Sequence, residues 1–529
     1  MKAWKSCAAL AAIVILFIGS AMLFIPRLGI YTDEALIGNG IYARGAPWYS
    51  WTFGDSELPI MLISYVGALK TWIYAGIFSI WPPGPISLRL PMALLAAASL
   101  ILFFRLLQRA VGATTGRLAA QRNAAWFGTL LLATDTSFLL IGATDFGFVV
   151  LQLFFKLAAI LLLLRFHRES NRWALAGAFF LLGLALWDKA VFLWVLFGLG
   201  VAVITVFPRT VLRHATLKNL GIAAVSMLIG ALPLVIYNIA RPLETLRANA
   251  KLTREPVLVK AGLLAQTIDG HVMLGFMTAV DTPPIPGQPR RWYQSLSLTL
   301  ADWTRHPQHN WMLVALLAAS LALIPLWRTE ARAPMLFGLI ASVGTWIPMA
   351  LTAGAGAAAQ HTILLWPFPI LTIAVALAYA PVRLAWAAVV LLCVSNLALT
   401  NQYYALFIHN GGAIRWTDAI FELDKYLATV KTDNIFVMDW GVIETINLLS
   451  EGETPVVAPK MSDPAWVRRS LTNPRYVFVA HTPGFAIQPE NRAVLEAAAR
   501  AGGYREVPLQ TIGDRNGRPT FEVFSFRKD

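Results

Sequence analysis

At 529 residues, with 57% hydrophobic and 14% charged positions and a mean hydropathy of +0.60, the chain is too apolar for a soluble domain, which averages about 45–50% apolar and about 25% charged. A net charge of +14 does not mark a nucleic-acid binder here, because the Lys and Arg residues form short clusters between apolar blocks and no basic face with interleaved aromatics. The two cysteines, Cys7 and Cys393, lie in or beside apolar segments and point to neither a disulfide nor a metal site.

Lys2 and Lys5 precede an apolar run over 7–25. The run is long for a signal-peptide core and no A-x-A site follows, so it reads as a retained signal anchor. Just beyond it stands Tyr31-Thr32-Asp33-Glu34. Thr32 or Asp33 suits a helix N-cap, and the two acids complement the dipole of the turn that follows. An acid pair at a membrane surface also faces anionic headgroups, which makes it a candidate for catalysis.

The next apolar block, 60–81, carries Lys70 at its centre. A central Lys costs ~2.5–3.5 kcal/mol on insertion scales. The block therefore reads as an interfacial or re-entrant helix within a first outer loop, 26–87, with Lys70 snorkelling to the headgroups. Trp81-Pro82-Pro83-Gly84-Pro85 ends it.

Further apolar blocks near 88–108, 124–143, 146–165, 175–187, 190–207, 311–327 and 362–380 alternate with basic clusters. These clusters are Arg105, Arg109, Arg117 and Arg122; Arg165, Arg168 and Arg172; Arg209, Arg213 and Lys218; Arg328 and Arg332; and Arg383. Placing every cluster in the cytoplasm gives about 11 transmembrane helices, with the N-terminus inside and the C-terminus outside. The opposite face then holds Asp33-Glu34, Asp145, Asp188-Lys189, the loop 239–310 and the loop 353–361. Asp145 lies between two apolar helices with almost no loop, where it caps the second helix or serves a cavity. The loop 239–310 is basic, and Arg241-Pro242 at its start is best placed to clamp a lipid-linked phosphate. His361 opens a later span, where it is either a structural donor or a second group that donates a hydrogen bond to the phosphate. Lys156 falls mid-span, either paired, snorkelling or facing a cavity. No P-loop, HExxH, GxSxG or CxxC pattern occurs.

After residue 400 the composition turns mixed and polar. Residues 435–438 and 476–479 read as buried strands, 521–526 as a half-buried strand, and 416–430 and 491–501 as amphipathic helices. The alternation predicts a small extracytoplasmic α/β domain over 401–529.

These features resemble the polyprenyl-phosphate-dependent GT-C glycosyltransferases, in the branch of the protein O-mannosyltransferases and the bacterial aminoarabinose or lipopolysaccharide-core transferases. The resemblance covers residues 1–400. It rests on Asp33-Glu34 after the first span, the interfacial helix, Arg89-Leu90-Pro91 opening the next span, Thr144-Asp145, and the segment from His361 to Pro367. It implies a GT-C-like polytopic α-helical fold in the bacterial inner membrane. It also implies inverting transfer of a sugar from a polyprenyl-phosphate donor to an acceptor hydroxyl on a glycan, lipid or protein. Asp33 becomes the catalytic base beside Glu34, and Asp145, Arg241, His361 and Lys70 become donor-binding residues. Relatives often carry a Lys-Pro-Pro segment near the donor phosphate; here the stretch reads Ser56-Glu57-Leu58-Pro59, so Lys70 or the basic loop would substitute. A divalent metal serves some relatives, and two or three acids do not establish one here.

Two other classes compete. A transporter or flippase of lipid-linked sugars would use intramembrane charges such as Lys156, but no inverted repeat is visible. A scaffold presenting the C-terminal domain leaves the convergence of acids unexplained. Reporter fusions after residues 112, 145 and 410 are expected to read inside, outside and outside; a cytoplasmic signal at 410 overturns the threading.

Overall fold

The computed structural model describes residues 3–43, 45–110, 118–280 and 285–528. Lys2 and Arg117 of the basic clusters, and the side chain of Lys5, lie outside the described residues.

Helices dominate because a backbone inside hydrocarbon must satisfy its own hydrogen bonds. Among the described residues, Ser6–Phe24, Pro85–Ala110, Val150–Glu169, Arg332–Leu351 and Val382–His409 are long and apolar enough to cross a bilayer. Four further pairs are apolar enough only when taken together, as broken spans or re-entrant loops: Ala119–Thr134 with Thr136–Thr144, Phe192–Val206 with Pro208–His214, Leu217–Gly230 with Leu232–Ala240, and Ala359–Leu365 with Phe368–Ala378, bent by 60°, 102°, 71° and 41°. The break at Asp135 has a local cause: its Oδ1 accepts the Phe138 amide at 2.7 Å and starts a new helix. The eleven expected spans also require Arg172–Asp188 and Met312–Leu326, of 17 and 15 residues. At about 1.5 Å per residue these fall short of ~30 Å of hydrocarbon, so length and composition alone support five to nine spans.

The helices pack through small residues, as membrane helices do when no solvent drives them together. Where Arg172–Asp188 crosses Leu217–Gly230, Gly183 lies against the carbonyl of Met227, and Gly230 against that of Phe180. A Cβ at either position would overlap the facing backbone.

The first loop corrects the sequence reading. Residues 60–81 do not form one helix. Strands β1 (Tyr49–Phe53), β2 (Ser56–Ile63) and β3 (Val66–Gly67) form an antiparallel sheet in the order β1-β2-β3. Only Leu69–Phe78 is helical. A continuous apolar run such as 60–63 suits a buried strand as well as a helix, and periodicity cannot separate them. Lys70 does not snorkel either; it is 0% exposed and faces inward.

The loop's other helix, Thr32–Tyr42, starts after an extended Tyr31, which takes the N-cap position expected of Thr32 or Asp33. Asp33 and Glu34 lie in its first turn, where the dipole favours them. Arg89, 0% exposed near the start of Pro85–Ala110, fixes this helix. Its Nε and Nη2 donate to Glu34 Oε2 and Oε1 at 2.6 and 3.0 Å. Nη1 donates to the carbonyls of Ile25 and Leu28, both at 2.9 Å, and Nη2 also donates to that of Gly29 at 2.6 Å. All five guanidinium N–H donors are thus used. One side chain ties the exit of the first span, the first-loop helix and the second long helix together.

The C-terminal sheet-containing domain has five strands: β4 (Ile435–Val437), β5 (Val456–Val457), β6 (Val477–His481), β7 (Tyr504–Gly513) and β8 (Pro519–Lys528). Their order is β5-β4-β6-β8-β7, with β4 parallel to both neighbours and β8 antiparallel to β6 and β7. Alternation along β4 splits the core. Ile435 and Val437 pack under helices Ala419–Leu427 and Ile443–Leu449, while Phe436 and Met438 pack under Pro464–Thr472 and Pro489–Gly502. The helix expected over 416–430 is shorter, and that over 491–501 begins at Pro489.

This domain docks on the first loop. Gly29 N donates to Trp416 O at 2.9 Å, Thr445 Oγ1 to Ile30 O at 3.2 Å, and Thr32 Oγ1 to Glu444 Oε2 at 2.9 Å. The Tyr31 and Trp416 rings stack at 5.1 Å. Gly29 is required here, because a Cβ would overlap the Thr417 carbonyl.

Arg89→Lys keeps the charge but has three donors and no fork. It is expected to lose about 3–5 kcal/mol of stability, the usual cost of breaking a buried ion pair. A thermal unfolding scan of detergent-solubilised protein should show a clear fall in midpoint, whereas exposed Arg209→Lys should show none. Equal midpoints for the two variants would refute the tie.

Candidate active site

The four acids that the sequence reading names on one face, Asp33, Glu34, Asp145 and Asp188, are brought together. Asp145 ends helix Thr136–Thr144 in a left-handed conformation, φ 49°. Its Oδ1 accepts the amides of Val149 and Val150 at 3.1 and 3.0 Å, so it does cap the next helix. Its Oδ2 accepts from Lys70 Nζ at 2.5 Å. The Lys70 ammonium also sits 4.7 Å from the Phe148 ring centroid. A very small cavity lined by Glu34, Asp145, Tyr74 and Thr144 lies between this ion pair and the Glu34–Arg89 pair.

The turn after Asp145 carries Gly147 at φ 75°, pressed against the Gln360 side chain so that a Cβ would clash. Gly147 O accepts from Lys189 Nζ at 2.6 Å. That turn therefore joins Asp145, Lys189 and the Gln360-His361 corner. Lys189 is 3% exposed and follows Asp188, whose two carboxylate oxygens are buried without a hydrogen-bond partner. Lys70 and Lys189 supply the opposite charge that acts on Asp188. The Nδ1 of His361 is also buried without a partner, and Lys189 and Lys260 are the charged groups acting on it.

Asp33 differs from its neighbours. Glu34 is committed to Arg89 and accepts the Tyr31 amide at 3.4 Å. Asp33 is only partly buried and makes no hydrogen bond or ion pair among the described residues. Burial raises its carboxyl pKa, while the charges of Lys189 and Arg415 pull it back and Glu444 raises it further. The Tyr31 hydroxyl beside it is pushed to about 12, by burial first and then by Asp33, with Arg415 opposing. Acids and bases balance: Asp33, Glu34, Asp145 and Asp188 against Arg89, Lys70, Lys189 and Arg415.

Arg241 stands apart, exposed, with its guanidinium 5.7 Å from the Trp48 ring. Lys156 resolves as a paired residue: its Nζ donates to the carbonyls of Leu364 and Trp366 at 2.5 and 2.6 Å. Sequence reasoning missed Lys189 and Arg415 as site residues. Lys189 had a visible signal, a Lys next to an Asp at the C-terminal end of an apolar helix. Arg415 had none, because it comes from beyond the last long helix. Among the described residues no group of three or more His, Cys, Asp or Glu is arranged to hold a metal ion. Arg89 takes both oxygens of Glu34, and Lys70 with the amides of Val149 and Val150 takes those of Asp145, so these two acids are not free to hold one.

No family model matches the sequence, and no curated protein matches it. Solved structures do. ArnT from Cupriavidus metallidurans bound to undecaprenyl phosphate matches with a TM-score of 0.58 at 11% identity, over 98% of each chain. The same protein in the apo state gives 0.57 at 12% identity, over 99% of this chain and 98% of that one. The mycobacterial arabinofuranosyltransferase AftD gives 0.47 at 14% identity, over 98% of this chain and 40% of that one. At these identities the likeness speaks for architecture: this chain has the ArnT-like fold of the GT-C glycosyltransferases.

Proposed function

We propose that this chain is a membrane glycosyltransferase that moves a sugar from a polyprenyl-phosphate donor to an acceptor hydroxyl on the outer face of the membrane, with inversion. The observation that carries the reading is Asp33. It is the one acid of the cluster that has both some solvent access and no partner, whereas the unpartnered oxygens of Asp188 are fully buried, so Asp33 alone has free lone pairs that an acceptor can reach. The bound undecaprenyl phosphate in the ArnT structure supports a lipid phosphate as donor.

In this reading Asp33 removes the proton of the acceptor hydroxyl as its oxygen attacks the anomeric carbon. The bond from that carbon to the phosphate oxygen breaks on the opposite face, which inverts the centre and releases polyprenyl phosphate. Charge grows on the departing phosphate, and preorganised cations there stabilise the transition state. Lys189 has two N–H donors left after its bond to Gly147, and His361 stands at the same corner. Lys70 lies behind them and holds Asp145. Arg241, exposed beside Trp48, meets the donor headgroup from the rim. Glu34 is a positioning residue: bound to Arg89, it sets the pitch of the turn that carries Asp33. No step runs through a metal.

Asp33→Asn should lower transfer of radiolabelled sugar from polyprenyl phosphate by ~10²–10⁴-fold, the usual worth of a general base, with an unchanged unfolding midpoint. Wild-type transfer by that variant would sink the assignment. The base must be ionised to act, and burial raises its pKa. Activity should therefore fall on acidification at a pH above the ordinary Asp value of about 4. Arg415 lowers that pKa, so Arg415→Gln should move the acidic limb of the kcat/KM profile to still higher pH. A limb that stays put, or moves down, would show that another group titrates.

A further inference from the structure

The C-terminal sheet reverses its winding at β4. The chain runs from β4 to β5 on one side and then returns to β6 on the other, all three strands parallel. At such a reversal the crossovers diverge and leave a crevice at the carboxyl ends of the strands, where open α/β sheets bind ligands. Asp439 lies two residues past β4, and His481 is the last residue of β6. They meet across the gap: the His481 Nδ1–H donates to Asp439 Oδ2 at 2.8 Å. Asp439 also accepts the amides of Trp440, Ile487 and Gln488 at 2.8, 2.9 and 2.9 Å. Burial acts to raise the Asp439 pKa, but His481 and these amides outweigh it and hold the carboxylate ionised. With Nδ1 fixed in this way, Nε2 is the polar atom His481 has left for a ligand.

His481 lines a small cleft that opens to solvent. The opposite wall is the first loop, through Ile30 and Thr32, and Arg415 and Trp440 also line it. Trp440 is 40% exposed there, and the Arg415 guanidinium lies 4.9 Å from its ring centroid. The transfer chemistry uses neither Trp440 nor the Asp439–His481 pair.

We propose that this cleft binds the saccharide end of the acceptor, an inference that rests on the glycosyl-transfer reading. The apolar C–H face of a pyranose packs on the exposed indole, and its hydroxyls pair with His481 Nε2 and the Thr32 hydroxyl. Arg415 takes an anionic substituent such as a sugar phosphate. An apolar ligand would leave His481 Nε2 desolvated and unpaired. A saccharide held here lies against the same short helix that carries Asp33.

The full chain in detergent, without donor, is titrated with maltose and with glucose 6-phosphate and followed by saturation-transfer NMR. Both sugars are expected to bind, the phosphate ester more tightly. Trp440→Ala and His481→Gln should each weaken both by about fivefold, the size of one lost hydrogen bond or equivalent contact. Arg415→Gln should abolish the preference for the ester. Unfolding midpoints near wild type confirm that the variants are folded, and Trp440 and Arg415 are outside the core. Absence of saturation transfer to either sugar overturns the proposal, as does binding unchanged in both Trp440→Ala and His481→Gln. Asp33→Asn should bind sugar like wild type, so a failure of the transfer chemistry leaves this result standing, and the two readings fail separately.

Discussion

The arrangement depends on a single buried guanidinium. Arg89 spends five N–H donors on one carboxylate and three backbone carbonyls. The carbonyls of Ile25, Leu28 and Gly29 belong to a chain leaving a helix, and such groups lose their intrahelical partners. Buried without replacements, each would cost free energy comparable to a lost hydrogen bond. A flexible ammonium could not serve all of them, since its three donors cannot reproduce a planar fork. The chain can therefore turn sharply from the first span into the Thr32–Tyr42 helix while staying out of water. Everything placed by that helix, including Asp33, follows from this turn.

The second constraint is charge balance. Four acids in a poorly solvated region would repel one another and protonate. Arg89 and Lys70 pair directly with Glu34 and Asp145, while Asp33 and Asp188 have no direct hydrogen-bond partner among the described residues and feel Lys70, Lys189 and Arg415 only through space. The consequence is a division of labour among residues that look alike in sequence. Glu34 and Asp145 are structural anchors, each also satisfying backbone amides. Asp33, one residue from Glu34, points away from Arg89 because successive helix positions diverge by about 100°. Adjacency in sequence thus guarantees different surroundings for the two acids.

Much of this was legible beforehand. Long apolar blocks and alternating charge gave most of the helices, and the position of Asp33-Glu34 beyond the first span located the acid cluster. The strand at 56–63 was not legible, because a run of buried apolar residues carries no period. Lys70 was misjudged for a related reason. The insertion cost of a Lys assumes lipid around it, and the chain instead supplies Asp145 from 75 residues away. Lys189 and Arg415 were missed because their relevance is set by tertiary contact: one is pinned to Gly147, and the other arrives with a domain that follows the last long helix. The short apolar helices mark the opposite limit. Their number was read from composition, and their 15 to 17 residues leave the span count open between five and nine by length.

The docking of the C-terminal sheet on the first loop gives the site two approaches of different character. A polyprenyl phosphate, if it is the donor, is confined to the bilayer and reaches the acids between helices. On the proposed chemistry an acceptor hydroxyl comes from the aqueous side, where a helix bundle alone offers few concave polar surfaces. The carboxyl edge of β4 and β6 supplies one, and Tyr31 stacked on Trp416 holds it against the helix bearing Asp33. The contact is made by backbone hydrogen bonds at Gly29 and Ile30 and by the Thr32–Glu444 bond, all within four residues of Asp33. Any shift of the sheet must therefore move Asp33 or break those bonds. On the proposed chemistry the soluble domain is part of the active site, and its position relative to the first loop sets the distance between the acceptor and its base.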